Sequence, residues 1–253
     1  MDDATGKVLM GKVALVTGGS RGIGAATARA LAARGAAVAI SYAASESKAG
    51  AMVAELERAG APAAAYQADQ ADPQQVGDLV RAVASNFGRL DVLVNNAAVY
   101  VTGRVDDVDG DLAAFDRQLA VNVGGVTAGI RAAARIMEND GRIITVGSHL
   151  ATRPGFAGVA DYAATKAAVV GYSKAAARDL SSRGITVNVV QPGSVATDMN
   201  SPEGPFADVQ RAANAMGRFG RPEEVAAGIA FLAGPEASFI TGTVLNIDGG
   251  YLA

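Results

Sequence analysis

The chain has 253 residues, 50% of them hydrophobic and 19% charged, with a formal net charge of −3. That composition supports a large core and argues against disorder, and a slightly acidic surface has no general attraction for nucleic-acid phosphates. With no cysteine and one histidine, His149, the chain has no disulfides, thiol nucleophiles, thiolate metal sites or multi-histidine metal centre.

Residues 1–10 hold no apolar signal core and are expected to form a short tail before a single domain over 11–253. No later run approaches membrane-spanning length, so the expected location is the cytoplasm. The first predicted strand, 13–17, runs into Thr17-Gly-Gly-Ser-Arg-Gly-Ile-Gly24, and a helix is predicted over 23–33. A Gly-rich turn between strand and helix lets backbone approach a pyrophosphate, and the helix N-terminus offers free N–H groups. Gly18, Ser20, Ile23 and Gly24 are therefore candidate cofactor contacts.

The second strand, 37–41, ends in Ser41-Tyr42-Ala43, with no acid before Glu46. NAD sites place a carboxylate there for the ribose 2′-hydroxyl. Arg21, inside the Gly-rich turn, lies near where a 2′-phosphate would sit, and arginine pairs well with phosphate. The expected cofactor is NADP(H).

A helix over 46–59 leads to a third strand, 63–67, followed by Asp69 and Gln70. Asp69 is either an acceptor for an adenine amino group or a helix N-cap before Pro73. The next helix is predicted over 73–87 and the fourth strand over 91–95. That strand ends in Asn95-Asn96-Ala97-Ala98, where small residues leave room for a ribose; Asn95 and Ala97 are candidate contacts.

A helical stretch over 111–137 is expected to break near Asn122. After the fifth strand, 142–146, comes Ser148, and the helix predicted over 161–181 opens on Tyr162-Ala-Ala-Thr-Lys166. Tyr and Lys at i and i+4 share one helix face. An ammonium and a cationic nicotinamide beside the phenol should lower its pKa towards acid–base work at neutral pH. His149 is expected to be a polar loop residue. Tyr100, Leu150, Phe156, Met199 and Phe206 are candidate apolar pocket walls.

The sixth strand is predicted over 185–190, the last helix over 222–232 and the last strand over 243–247. The irregular stretch 197–220, with Pro202, Gly204 and Pro205, is a candidate lid. Continuous apolar strands separated by helices predict an α/β fold: a doubly wound, mostly parallel seven-stranded sheet in one domain.

From about Lys12 to the C-terminus the chain resembles the classical short-chain dehydrogenase/reductase family, in its 3-oxoacyl-carrier-protein reductase-like subgroup. The resemblance rests on Thr17 to Gly24, Asp69, Asn95-Asn96-Ala97, Asn122, Ser148, Tyr162 with Lys166, Pro192-Gly193, Thr197 and Asp248-Gly249-Gly250; Ala98 stands where the family motif usually has glycine. It implies a Rossmann fold and a catalytic set of Asn122, Ser148, Tyr162 and Lys166. Tyr162 would be the acid/base, Ser148 would bind the substrate oxygen, and Lys166 would hold the nicotinamide ribose and depress the phenol. Asn122 would hold a relay water. Pro192, Gly193, Val195 and Thr197 would cradle the nicotinamide. The family also implies a homotetramer, consistent with the alanine-rich stretches 126–137 and 161–181 and an apolar C-terminal segment.

The resulting expectation is hydride transfer between NADP(H) and the carbonyl or secondary alcohol of a small molecule. A carrier-bound 3-oxoacyl substrate is the runner-up, because Glu138-Asn139-Asp140 before the fifth strand is acidic, like the carrier. A non-catalytic NADP(H)-binding regulatory protein on the same fold is the competing class.

Overall fold

Val13-Ala-Leu-Val16, strand β1, is apolar at every position and buried at every position. A strand covered on both faces needs no alternation of polar and apolar residues. β4 (Val92–Asn95), β5 (Arg142–Val146) and β6 (Thr186–Pro192) are also buried at every position, mostly apolar but with polar residues among them. The remaining strands are β2 (Ala37–Tyr42), β3 (Ala63–Gln67) and β7 (Val244–Ile247). In this computed structural model, which describes residues 7–253, all seven run parallel in the order β3-β2-β1-β4-β5-β6-β7.

Two helix layers cover the sheet. One holds α1 (Gly22–Ala33), α2 (Glu46–Arg58) and α8 (Pro222–Ala233), which bury Leu31, Met52 and Ile229. The other holds α3 (Pro73–Phe87), α5 (Val126–Ile136) and α6 (Ala160–Leu180), which bury Leu79, Ile130 and Val169. The strand order reverses between β1 and β4, and open α/β sheets bind ligands in the crevice outside the carboxyl ends of strands at that point.

Three expectations change. The stretch 111–137 does not break: α4 (Leu112–Leu119) passes through a π-helical turn (Ala120–Gly125) into α5 with helical dihedrals kept. Gly125 lets this turn lie against Gln70, since a Cβ there would fall 2.3 Å from the Gln70 carbonyl oxygen. The cap of α3 is Asp72, whose side chain accepts from Gln74 N and Gln75 N; Asp69 does not serve there. Of the expected tail, residues 1–6 lie outside the described residues, whereas Leu9 is buried and its N–H donates to the Arg34 carbonyl at 2.8 Å. Between β6 and α8, the stretch 197–220 carries a short helix, α7 (Ala207–Ala213). No helix among the described residues is long and apolar enough to cross a membrane.

Candidate active site

A cleft of about 1160 Å³ opens along the carboxyl ends of the strands. All the predicted site residues except Asn95 and Asn122 line it, as do the five predicted apolar walls.

At one end the Gly-rich turn is stapled to β4. The Thr17 hydroxyl accepts from the N–H groups of Asn96 and Ala97, both at 3.0 Å. Asn96 Nδ2 donates to the carbonyls of Thr17 and Gly18 at 2.8 and 3.1 Å. A Cβ at Gly24 would fall 2.3 Å from the Gly18 oxygen, and Gly18 itself has φ +63°. Gly193 is equally bare, its would-be Cβ 2.7 Å from the Asp248 backbone. Bare backbone in front of a helix N-terminus fits a dinucleotide pyrophosphate.

Asn95 is not part of this surface. It ends β4 with its side chain buried towards α5, where a Cβ on Gly129 would meet its Oδ1 at 2.8 Å, and neither side-chain polar atom has a partner among the described residues. Asn96, passed over as a contact, is the asparagine at the cleft. Asp69 lines the cleft but is gripped by both ends of Arg117, at 2.8 and 3.0 Å. Arg117, together with the Ala71 N–H, holds the Asp69 carboxyl below its ordinary value.

At the other end Ser148, Tyr162 and Lys166 converge, all buried. Ser148 caps a short 3-10 turn (His149–Ala151), its Oγ accepting from Leu150 N at 3.2 Å. The Tyr162 ring meets Tyr100 edge-on, with centroids 4.8 Å apart. Burial pushes the Tyr162 phenol well above its ordinary value; the Ser148 hydroxyl acts downward and Tyr100 upward. Lys166 is not among the groups that move the phenol here; the expected depression rests on Lys166 acting together with a cationic nicotinamide. The Lys166 ammonium lies 5.7 Å from the Tyr162 ring centroid and donates to the Val146 carbonyl at 2.9 Å. Its own burial lowers it to about 8, so desolvation dominates both groups.

Asn122 lies just outside the cleft. Its Oδ1 accepts from Val99 N at 2.9 Å, and its Nδ2 donates to the Val99 carbonyl at 2.9 Å and to Thr165 Oγ1 at 3.2 Å. It fixes the π-helical turn against the loop after β4 and against α6. Among the described residues no cluster of acids and histidine could hold a metal ion.

A family model described as enoyl-(acyl carrier protein) reductase matches residues 18–252. The chain belongs to the short-chain dehydrogenase/reductase family. Its similarity to curated 3-oxoacyl-carrier-protein reductases places it in that subgroup: it is 43% identical to the one from Synechocystis sp., over 96% of this chain and 97% of that one. It is also 43% identical to an Escherichia coli cyclic-di-GMP-binding biofilm dispersal mediator protein, over 95% of this chain and 97% of that one. A short-chain dehydrogenase from Burkholderia cenocepacia, solved in complex with NADP, is 52% identical and superposes with a TM-score of 0.95 over 97% of this chain and 99% of that one.

Two further features of this short-chain dehydrogenase/reductase depart from the sequence reading. His149 is buried and lines the cleft, its ring against Tyr251 at 4.2 Å, so it is a wall residue. Its Nδ1 bonds the Pro192 carbonyl at 3.0 Å, and burial lowers its pKa. The acidic Glu138-Asn139-Asp140 segment lies before the amino end of β5, the edge of the sheet opposite the cleft. It therefore has no bearing on what docks at the cleft mouth.

Proposed function

We propose that the protein is an NADP(H)-dependent oxidoreductase that interconverts a small-molecule ketone and its secondary alcohol. The observation that carries this is the burial of Tyr162, Ser148 and Lys166 together beside a bare-backbone cradle. Bound NADPH would supply the hydride. Tyr162 gives the proton to the carbonyl oxygen in reduction and takes it back in oxidation. Ser148 donates to the same oxygen and orients it. Lys166 turns from the Val146 carbonyl to the ribose hydroxyls. Arg21 meets the 2′-phosphate, Ser41, Tyr42 and Ala43 flank it, and Pro192 to Thr197 wall the nicotinamide side. Residues 11–253 act as one domain, with 197–220 as its lid.

A free substrate is favoured by charge at the cleft mouth. The stretch 104–111 has one arginine against four aspartates, and Arg104 and Asp107 line the cleft. An acidic carrier meets like charge there. Incubating the protein with NADPH and a ketone panel should consume NADPH, faster with free ketones than with 3-oxoacyl groups on an acyl carrier protein. Faster turnover on the carrier would move the assignment to carrier-bound 3-oxoacyl reduction. The likeness to a cyclic-di-GMP-binding protein favours a second reading, a cofactor-binding regulator. NADPH bound but never consumed on any substrate would establish it.

The assembly we infer is a homotetramer. Ala164, Ala167, Ala168, Gly171 and Ala175 form an exposed stripe of small residues along α6, suited to close pairing with a second copy across a two-fold axis. Light scattering coupled to size exclusion should give about four times the 25.4 kDa chain mass. A monomer mass at micromolar concentration refutes it.

A further inference from the structure

Three elements remote in sequence meet over the cleft edge beyond β2. Arg21 comes from the Gly-rich turn, Lys48 from the first turn of α2 and Asp198 from the start of the 197–220 stretch. One oxygen, Asp198 Oδ2, lies 3.4 Å from Arg21 Nη1 and 3.3 Å from Lys48 Nζ. Each of the three side chains is a little over half exposed. Lys48 and then Arg21 hold the Asp198 carboxyl below its ordinary value. The backbone brings these elements close: a Cβ at Gly22 would meet Thr197 Cγ2 at 3.3 Å.

Two cations that share one carboxylate oxygen are spaced to share any single anion of similar size. No carboxylate from the end of β2 competes for them, since Ser41 to Ser45 contain no acid. A phosphate monoester carries more charge than a carboxylate and offers three acceptor oxygens. Resting on the NADP(H) reading of the cleft, we propose that Lys48 and Arg21 form a two-cation clamp for the 2′-phosphate, and that Asp198 occupies this clamp until phosphate displaces it. Lys48 is then a second specificity residue for the cofactor. Asp198 is a latch that ties the lid to the Gly-rich turn, and a cofactor with a 2′-phosphate opens the latch whereas one with a 2′-hydroxyl leaves it closed.

The test uses the full chain with adenosine 2′,5′-bisphosphate and 5′-AMP as probes, titrated by calorimetry with no turnover involved. Wild type should bind the bisphosphate more tightly than AMP. Lys48→Ala should weaken the bisphosphate several-fold and leave AMP unchanged. Asp198→Asn should tighten the bisphosphate by about two- to five-fold, the scale of exposed ion pairs, with AMP again unchanged. In an Arg21→Ala/Lys48→Ala background, Asp198→Asn should have no effect on either probe. If Asp198→Asn leaves bisphosphate binding unchanged or weakens it, the latch is wrong. If Lys48→Ala affects both probes equally, the clamp is wrong. A wild type that does not distinguish the probes overturns the NADP(H) reading itself, an outcome separate from failure of the latch or clamp alone.

Discussion

Tyr162→Phe should keep the fold and NADPH affinity while turnover falls by about 10²- to 10⁴-fold, the usual scale of a lost general acid. The ring is what packs: it is buried with Leu150 and Val159 and meets Tyr100 edge-on. Phenylalanine keeps that packing and removes only the transferable proton. The raised phenol pKa sets the pH dependence. Across neutral pH the group is protonated, the form needed to give a proton, so reduction should stay flat there. Oxidation needs the phenolate and should climb as the medium becomes alkaline. Near-normal turnover in Tyr162→Phe, or oxidation that falls with rising pH, removes Tyr162 from its role.

Much of the fold was legible because its signals are local. Strands at 63–67 and 142–146 and the helix at 73–87 have the predicted bounds. The helix is marked at both ends, by Pro73 in its first turn and by left-handed Gly88 after it. The π-helical turn was not legible, since it keeps helical dihedrals and its Gly124-Gly125 pair reads in sequence as a break. In the site, residues whose backbone does the work, such as Gly18 and Gly24, were readable from spacing alone. Asn95 was misplaced although a signal existed: successive side chains along a strand point to opposite faces, so two adjacent asparagines could not both face the cleft. The pairing of Asp198 with Lys48 spans 150 residues, and the gripping of Asp69 by Arg117 spans 48. No local pattern carries either. The direction of the Tyr162 pKa depends on how much water is excluded, which the Tyr-x-x-x-Lys spacing does not encode.

Lys166→Met should also abolish most turnover, yet make the protein more stable at neutral pH. The ammonium is buried, and its pKa falls from 10.5 to about 8. Between those two values the folded state binds fewer protons than the unfolded chain, so stability rises with pH across that window. Below pH 8 the full penalty is present, and a shift of this size corresponds to about 3 kcal/mol. Methionine has a similar length and no charge, so it removes the penalty. It also removes the hydrogen bond to the Val146 carbonyl, which returns roughly 1 kcal/mol to the other side. A net gain of roughly 1–2 kcal/mol should raise Tm by a few degrees for a chain of this size. The advantage should shrink as wild type sheds its buried charge at alkaline pH. Melting both proteins at pH 7 and pH 9.5 reads this directly: the Tm difference should favour the variant at pH 7 and narrow at pH 9.5. A variant that melts below wild type at pH 7 would mean that Lys166 stabilises the fold, and its burial could no longer be attributed to function at the expense of stability.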